Sequence, residues 1–499
     1  MNGELVPFGT GALIVIGLYI LSLIFVGYMG YRARREDSLK DFYLAGKGFG
    51  LVVLVLTLYA TQYSGNTLFG FTGKTYRVGY FWTTSIHFMT AIVIFYLLFA
   101  PRLHSLAKQK GFITPTDYLN HRYGSSAINI IATIVMIVAL GNYTLAQLMA
   151  MGRAFQGLTD WDPLKAYQYG VVILALIMVV YETLGGMRAV AWTDAIQGTF
   201  LLVGFAVLLV LVFDRFGSLE AATQKIIANQ ESAAMAAPPN AGQCRQWLSY
   251  ILVVGLGGAL YPQAIQRIYA ADSVSTLRKS FAVMSFLPLT TTLVALIVGI
   301  LALANMPGLK GAEADKVLML ICKQVQSASP LGYWLVVILF AAVLAAIMST
   351  ADSALLAISA MFTKDLYSRY LRPETKEKHL TKLGKIISWV VVIILVGCAL
   401  ALRESTTLIS LLDRKFDILI QLVPAFILGI NWRGLRRGPT LAGLIIGLAV
   451  ALGITVTLNG MGCKPWLFNM HPGIFGLLVN LLVAVGGSLL GKGEEEFRV

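Results

Sequence analysis

The sequence predicts an all-α membrane protein with about thirteen transmembrane helices. Of its 499 residues, 57% are apolar and only 13% are charged, and the mean hydropathy is +0.74. Runs of about 20 apolar residues, the length that crosses a bilayer as a helix, recur along the chain. A soluble protein of this length would need far more polar surface, so the composition excludes a soluble fold.

The predicted spans are joined by short connections, and we expect no soluble domain. The first span is flanked by arginines and is long enough to stay in the membrane, so it is not interpreted as a signal peptide. The spans cover residues 9–31, 48–72, 79–101, 126–156, 167–185, 189–214, 247–269, 279–305, 332–361, 384–402, 407–431, 439–458 and 472–491.

The Lys and Arg residues predict the orientation. With the N-terminus outside and the C-terminus inside, 25 of the 39 basic residues lie on the inner side and 14 on the outer side. This distribution obeys the positive-inside rule, and the reversed orientation would violate it. The net charge of +14 is therefore interpreted as charge of the inner loops and not as a nucleic-acid surface.

Two spans contain signals for a broken helix. Span 2 reads "LTLYATQYSGNTLFGFTG" and span 7 reads "VVGLGGALYPQAIQ". Unpaired backbone at membrane depth survives only where protein or a wet cavity covers it. Such spans at matching positions indicate inverted repeats around a midplane site. The alternative is that the glycines only allow helices to pack closely.

The spacing of the broken spans divides the chain into five parts. Residues 1–47 form a leading transmembrane helix and an inner loop, and 48–214 form the first five-helix repeat (spans 2–6). An outer loop, 215–246, precedes the second repeat, 247–431 (spans 7–11). Residues 432–499 add two transmembrane helices and a short cytoplasmic tail.

Span 9 contains a polar face in the stretch "LAAIMSTADSALLAISAMF". Ala346, Ser349, Thr350 and Ser353 share one face at helical spacing, and Asp352 lies beside it. A mid-span aspartate costs about 2.5–3.5 kcal/mol on insertion scales and should have a partner. Because hard cations prefer oxygen ligands, the face predicts one wall of a sodium site. Alternatively, the hydroxyls bond back to the helix or join helices.

A second carboxylate follows in "YETLGGMRAVAWTDAIQG". Asp194 lies about two turns into span 6 and is a candidate cation ligand. The alternative is an interfacial aspartate that pairs or caps near the inner surface. Glu182, at the inner end of span 5, is interpreted as interfacial.

At these motifs the sequence resembles the sodium/solute symporters, which include bacterial proline, pantothenate and sialic acid carriers and animal sodium/glucose carriers. "YETLGGMRAVAWTDAIQ" is similar to the family's Y-T-x-x-G-G-x-x-A-V-x-x-T-D-x-x-Q signature. "YSGNTLFG", "PQAIQRIYAADS", "AAIMSTADSALL" and "TKDLY" resemble further segments in the expected order. The resemblance covers about residues 8–430 and implies the LeuT-type 5+5 inverted-repeat fold.

The resemblance implies two cation sites. The family's shared sodium site falls on carbonyls of Ala60 and Tyr63 and on Ala346, Ser349 and Thr350. A further cation site found in some relatives falls on Asp194, Ser349, Asp352 and Ser353. Asp352 replaces a serine of those relatives, so this second site is predicted to take either sodium or a proton.

Three departures bear on the substrate. Gln62 stands where proline carriers have aspartate, and Val254 and Gly258 stand where they have Trp and Tyr. These differences make proline a less favoured candidate for the substrate. A charged stretch, "LLDRKFD", is interpreted as an outer gate or an anion-attracting mouth. The alternative is that its charges are solvated residues before a shorter span. Its charged residues are Asp413, Arg414, Lys415 and Asp417.

The sequence therefore predicts a sodium-coupled secondary symporter that imports a small organic solute, with an amino acid or related small carboxylate favoured. The cavity is expected between spans 2, 3, 4, 7 and 11, with no arginine at mid-depth. The predicted lining residues are Gln62, Asn66, Thr67, His87, Asn142, Tyr143, Gln147, Tyr261 and Gln421. No enzyme is expected, because no nucleophile–His–acid spacing, phosphate loop or zinc motif is present.

The expected partners are the solute, Na⁺ and membrane lipid, with no nucleic acid, and the chain is expected to act as a monomer. We expect a multi-pass protein of the cell membrane, in bacteria the inner membrane. The alternatives are a transporter-like sensor that signals through a separate partner, a proton-coupled carrier and a channel. The four cysteines, Cys244, Cys322, Cys398 and Cys463, lack metal spacing. They are expected to be free thiols, with a disulfide between outer loops as the alternative.

Overall fold

A computed structural model describes residues 8–33, 36, 38–46, 48–156, 161–326, 330–403, 408–461 and 466–491. Within these ranges the regular secondary structure is helical, and β-type pairing is confined to two isolated bridges. The α-helices are α1 (Thr10–Arg32), α2 (Leu39–Leu44), α3 (Leu51–Gln62), α4 (Thr72–Val78), α5 (Thr84–Lys110), α6 (Pro115–Tyr123), α7 (Ser126–Gln156), α8 (Pro163–Phe216), α9 (Leu219–Ala228), α10 (Ala241–Ala259), α11 (Pro262–Ala270), α12 (Val274–Met284), α13 (Pro288–Asn305), α14 (Val317–Gln326), α15 (Pro330–Ala360), α16 (Glu377–Ala401), α17 (Leu408–Leu419), α18 (Gly429–Asn431), α19 (Arg437–Gly460) and α20 (Pro472–Leu490). Wider π-helical turns cover Asn66–Phe71, Met361–Leu371 and Pro424–Leu428, and 3-10 turns cover Gly79–Thr83, Ala233–Met235, Gly311–Lys316 and Ile420–Leu422.

Many of these helices are long enough to span a membrane. Nine helical segments in the described ranges are long and apolar enough to cross a bilayer, and the bent pair α10–α11 makes a tenth. Helix α8 contains two predicted spans, because Gly186 turns the chain within it (φ 58°, ψ −151°). A Cβ atom at Gly186 would lie 2.6 Å from the carbonyl oxygen of Phe42, so glycine is needed at this boundary.

Three predicted spans differ from the observed helices. Span 8 is interrupted between α12 and α13, because Pro288 starts a new helix. Helix α15 continues as the π-helical stretch Met361–Leu371, past its predicted end. Span 11 changes from α17 to 3-10 and π-helical turns around Pro424, whose ring removes a backbone donor.

Helix α15 runs through the centre of the bundle. Every side chain of residues 339–360 is buried, and the helix packs against α3, α7 and α8. Helices α1, α16 and α19 lie at the periphery with many exposed apolar side chains, as expected where lipid covers a helix. The candidate site therefore lies where α15 meets the predicted breaks in spans 2 and 7.

Candidate functional site

The first broken helix is confirmed at the predicted place. Helix α3 ends at Gln62, Tyr63 is extended (φ −98°, ψ 108°), and helical turns resume at Gly65. The freed backbone finds side-chain partners: Gly65 N–H donates to Gln147 Oε1 at 3.0 Å, and the Ala60 carbonyl accepts from Thr350 Oγ1 at 3.1 Å. The break is thus covered by α7 and α15, as unpaired backbone within a membrane requires.

Gly65 allows α7 and α15 to approach this break. A Cβ atom there would lie 2.8 Å from Ala150 Cβ and 2.9 Å from Ile347 Cγ1. These separations are shorter than van der Waals contact between carbon atoms. Any larger residue would push the broken helix away from the two helices that satisfy its backbone.

The second broken helix is also confirmed. Helices α10 and α11 meet at an angle of 50°, and Pro262 begins α11 with no backbone N–H to continue the preceding helix. Tyr261 lies in the break and stacks on Tyr143 of α7, with ring centroids 5.3 Å apart and an interplanar angle of 10°. The Tyr143 hydroxyl lies 3.4 Å from the Thr61 carbonyl in the first break. Tyr143 therefore contacts both breaks.

The residues predicted for the shared sodium site come together in part. Ala346, Ser349 and Thr350 are buried on α15, and Thr350 meets the Ala60 carbonyl. Tyr63 follows the last residue of α3. Ser349, however, donates its hydroxyl to Asp194. The oxygen atoms required by a hard cation are gathered here, with Thr350 as the direct link between α15 and the break in span 2.

The predicted second cation site contains a guanidinium. Asp194 is fully buried and accepts hydrogen bonds from the Ser349 and Thr57 hydroxyls. Arg267 of α11 donates from Nη2 to Asp194 Oδ2 at 2.7 Å and to Ser353 Oγ at 2.5 Å. Asp194, Ser349 and Ser353 are therefore brought together as predicted, but around Arg267.

Arg267 was not predicted as part of this site. The prediction that no arginine lies at mid-depth was made for the substrate cavity, whereas Arg267 is completely buried among the residues predicted for the second cation site. Its Nε donates to Thr57 Oγ1 at 2.7 Å and its Nη1 to the Gln263 carbonyl at 3.1 Å. The bend before α11 directs Arg267 toward α3, α8 and α15. A signal was present, because this arginine belongs to the motif "PQAIQRIYAADS".

Asp352 lies beside this ion pair, and its hydrogen-bond partners in the described structure are two hydroxyl groups. Tyr181 donates to Asp352 Oδ2 at 2.7 Å, and Ser353 Oγ lies 3.3 Å from Asp352 Oδ1. The aspartate is fully buried. Tyr181 opens the motif that contains Asp194, and sequence reasoning did not assign it a role.

Most predicted substrate-lining residues lie around the two breaks. Tyr143, Tyr261 and Gln147 contact the breaks as described above. Gln62 donates to the Tyr96 hydroxyl at 3.2 Å, and Thr67 Oγ1 accepts from the Ser64 N–H at 3.3 Å. Asn142 is half-buried on α7, whereas the side chain of Asn66 lies outside the described residues.

Two predicted lining residues face elsewhere. His87 is exposed near the start of α5, and its ring packs 5.2 Å from that of Trp247. Gln421 donates to the Gly473 carbonyl at 2.9 Å. Its side chain lies between α19 and α20 and not at the breaks. His104, by contrast, is buried on α5, where its Nε2 lies 3.0 Å from the Ala271 carbonyl oxygen.

The predicted outer gate does not form one cluster. Asp413 lies 3.5 Å from the Tyr250 hydroxyl, and Arg414 is exposed. Asp417 accepts from the Gly473 N–H at 2.9 Å, so it caps the start of α20. Lys415 alone points to the breaks, with Nζ 3.2 Å from the centroid of the Tyr143 ring.

A further polar network, missed by sequence reasoning, joins α6 to the end of α15. Asp117 of α6 pairs with Lys364 and with Arg369 Nη2 at 3.1 Å. Burial raises the pKa of Asp117, but the Lys364 ammonium and the N–H groups of Ile113 and Thr114 lower it to below its ordinary value. Asp117 is therefore ionised at neutral pH, where both of its ion pairs are in place.

The same network includes the aspartate of the "TKDLY" segment. Asp365 accepts from Thr114 Oγ1 at 2.7 Å and from Thr116 Oγ1 at 2.6 Å. Both threonines belong to the start of α6. The motif therefore joins the central helix to a short helix at one end of the bundle.

The cysteines are free thiols where the structure describes them. Cys244, Cys322 and Cys398 carry no disulfide, and Cys463 lies outside the described residues. No group of three or more metal-ligating His, Cys, Asp or Glu side chains was found in the described part of the chain.

Comparison with known proteins agrees with this architecture. An uncharacterized symporter of Bacillus subtilis is 26% identical, over 96% of this chain and 97% of the relative. A sodium/proline symporter of Staphylococcus aureus is also 26% identical, over 96% of this chain and 92% of the relative. The solved structure of a Na⁺-coupled sialic acid symporter matches with a TM-score of 0.77 at 16% identity, over 97% of this chain and 98% of that one.

The family model described as "Sodium:solute symporter family" matches residues 42–447, which include both breaks, α15 and the buried ion pair. The proteins of this family are transporters and not enzymes, and the apolar helices make the chain a multi-pass membrane protein. The chain belongs to the sodium:solute symporter family.

Proposed function

We propose that this chain is a sodium-coupled secondary symporter that imports a small organic solute by alternating access. The observation that carries the proposal is the meeting of two broken helices at the hydroxyl face of α15. A site at a broken helix can take ions on its carbonyls and a substrate on its N–H groups. Family membership supports sodium as the coupling ion.

The proposed topology has thirteen spans, with the N-terminus outside and the C-terminus inside. The first repeat covers residues 48–214 and the second covers 247–431, with 1–47, the outer loop 215–246 and the final helices in 432–499 outside the repeats. The positions of the two breaks, α3–α4 and α10–α11, support this division. The basic residues support the orientation.

Sodium is proposed to bind between the carbonyls of Ala60 and Tyr63 and the α15 residues Ala346, Ser349 and Thr350. The hydrogen bond from Thr350 to the Ala60 carbonyl supports this location, because it holds two of the proposed ligand oxygens 3.1 Å apart. Binding of an ion would replace that hydrogen bond with two oxygen–cation contacts.

A second coupled cation is proposed to use Asp352. Asp194 already has the Arg267 guanidinium as a counter-charge, whereas Asp352 has the hydroxyls of Tyr181 and Ser353. A buried carboxylate in a membrane needs a counter-charge or a proton. The second ion is therefore either a sodium bound by Asp352 and Ser353 or a proton on Asp352.

The proposed substrate is an amino acid or a related small carboxylate, carried by a monomer in the cell membrane. The proline symporter among the relatives supports an amino acid. Gln62, Val254 and Gly258 depart from the proline carriers, which favours a different solute of similar size. Membrane lipid surrounds the exposed apolar faces of α1, α16 and α19.

Sodium should raise the melting temperature of the purified protein, and potassium should not. Binding to the folded state stabilises it by mass action, by about 2.7 kcal/mol at a hundred times the dissociation constant. Thr350→Val keeps the side-chain volume but removes the oxygen, so it should abolish most of the sodium-specific shift. The measurement is a thermal-shift titration with NaCl against KCl.

Thr292→Val is the matched control. Thr292 is buried on α13, and its hydroxyl makes no hydrogen bond in the described structure, so this variant should keep the whole sodium response. A Thr350→Val protein with an unchanged sodium response would show that Thr350 is not a ligand. A wild type that responds equally to both salts would contradict sodium coupling.

A further inference from the structure

An ammonium group is buried among aromatic rings next to the two breaks. Lys415 of α17 is 1% exposed. Its Nζ lies 3.2 Å from the centroid of the Tyr143 ring and 5.0 Å from the centroids of the Tyr261 and Phe416 rings. Attraction to the faces of the rings offsets part of the cost of removing the cation from water.

The ammonium lacks the partners that buried cations usually have. Within the described residues, Nζ makes no hydrogen bond, and no carboxylate there lies within ion-pair distance of it. Asp413, two residues earlier, lies beside the Tyr250 hydroxyl instead. A Lys ammonium has three donors, and burial without an anion is costly. The site is therefore incomplete as a structural ion pair.

The location of Lys415 connects it to the proposed substrate site. Tyr143, on which Nζ lies, reaches the Thr61 carbonyl in the first break and stacks on Tyr261 in the second. The Thr61 hydroxyl and both amide atoms of Gln263 also make no hydrogen bond within the described part of the chain. Unpaired buried polar groups on both breaks indicate a place where a ligand supplies the missing partners.

We propose that Lys415 binds the carboxylate of the transported solute and thereby restricts the substrate to small carboxylates. The inference rests on the proposed function and names the substrate class of that site. The carboxylate completes the charge of the ammonium, and the rings of Tyr143 and Tyr261 hold the body of the solute. A neutral solute such as a sugar would leave the ammonium unpaired.

A gating role for Lys415 is a weaker explanation. A gate built from "LLDRKFD" would pair Lys415 with Asp413 or Asp417. Asp417 instead accepts a hydrogen bond from the Gly473 N–H at the start of α20, and Asp413 accepts one from the Tyr250 hydroxyl. Asp413 interacts with Lys415 through its charge, but Nζ makes no hydrogen bond to either acid of this segment in the described structure, so the ammonium can still pair with an anion from outside the chain.

The test compares acids with their amides, which lack the carboxylate charge. Purified protein in saturating NaCl is titrated in a thermal-shift assay with propionate, L-lactate and L-proline, and with propionamide, L-lactamide and L-prolinamide. We expect at least one acid to stabilise the protein and its amide to bind about 10-fold more weakly or worse, since hydrogen bonds to charged groups dominate such sites. A response to propionate or lactate indicates a monocarboxylate substrate, and a response to proline alone indicates a zwitterion.

Variants assign the effect to Lys415. Lys415→Met keeps the length of the side chain but removes the charge, so it should lose the preference for the acid. Arg414→Met is the matched control, because Arg414 is the exposed neighbour, and it should bind the acid like the wild type. The sodium-induced shift of Lys415→Met shows that this variant is folded. If it does not fold, Lys415→Arg and the comparison of acid with amide on the wild type decide the question.

The inference is overturned if acid and amide stabilise the wild type equally, or if Lys415→Met keeps the acid preference. It is also overturned if sodium stabilises the protein and none of the three acids does. An acid-selective response that depends on Lys415 but occurs without any sodium effect would contradict the proposed symport and still support Lys415 as the carboxylate-binding group.

Discussion

At the residue scale, the buried pair of Asp194 and Arg267 organises the site. The guanidinium bonds the carboxylate of α8, the Thr57 hydroxyl of α3 and the Ser353 hydroxyl of α15. Removing one partner of a buried ion pair typically costs about 3–5 kcal/mol, because the other charge is left uncompensated. The pair therefore fixes three helices relative to α11 in addition to neutralising Asp194.

Substitution of the two aspartates should separate structure from coupling. Asp194→Ala leaves Arg267 unpaired and should lose most sodium-driven uptake. Asp352→Ser keeps an oxygen ligand and restores the residue of relatives with a further site, so it should retain uptake. The measurement is the sodium-to-solute stoichiometry from reversal potentials in proteoliposomes between about pH 6 and 8, using the acid that binds most tightly in the thermal-shift assay.

The pH dependence of uptake distinguishes sodium from a proton as the second coupled ion. If Asp352 binds sodium, the wild type should couple two sodium ions to each solute, and uptake should depend little on pH. If Asp352 binds a proton instead, uptake by the wild type should depend on pH, and Asp352→Ser should remove that dependence. Asp214→Ala, at the exposed end of α8, is the control and should change nothing. One sodium, unaffected by either substitution or by pH, would mean that the aspartate pair is purely structural.

Individual site residues were predictable where a local pattern marks them. The hydroxyls of α15 share a face at helical spacing, and Asp194 stands out as a charge in an apolar span. Arg267 was missed as its partner because 73 positions separate the two residues. That contact depends on the bend before α11, which spacing along one helix does not determine.

At the element scale, the broken helices were predictable from glycine and proline. Gly65 and Pro262 mark the two breaks in the sequence, and their effects are local: close approach in one case and a missing N–H in the other. The π-helical extension of α15 and the interruption between α12 and α13 were not predicted. Their positions depend on packing with neighbouring helices, which hydropathy does not report.

Gly65→Ala should destabilise the protein and weaken sodium binding. The added methyl group would lie 2.8 Å from Ala150 Cβ, and overpacking of a tight core typically costs about 1–3 kcal/mol. Gly141→Ala is the control in α7, where a Cβ atom meets no atom within 4 Å. The melting temperature and its dependence on NaCl measure both effects. Equal results for the two variants would show that the close approach at Gly65 is unimportant.

At the scale of the whole molecule, composition predicted the class and the family resemblance predicted the fold. Apolar runs were enough to indicate a polytopic helical protein, and the order of motifs implied the architecture that matches the sialic acid symporter. The direction of single side chains was less predictable. His87 and Gln421 lie on helices near the site, but one faces outward and the other faces α20. A rotation of a helix by one residue changes which side chain faces the core.

The most direct test of sodium-coupled symport is uptake of a radiolabelled acid into proteoliposomes. The acid is the one that stabilises the protein most in the thermal-shift assay, and an inward gradient of NaCl is compared with an equal gradient of KCl. Coupling requires that sodium and solute each strengthen binding of the other. We therefore expect concentrative uptake only with sodium. This uptake should be lost when an ionophore dissipates the gradient, and Thr350→Val should strongly reduce it. Equal uptake with both salts, or accumulation that persists without a sodium gradient, would contradict the account.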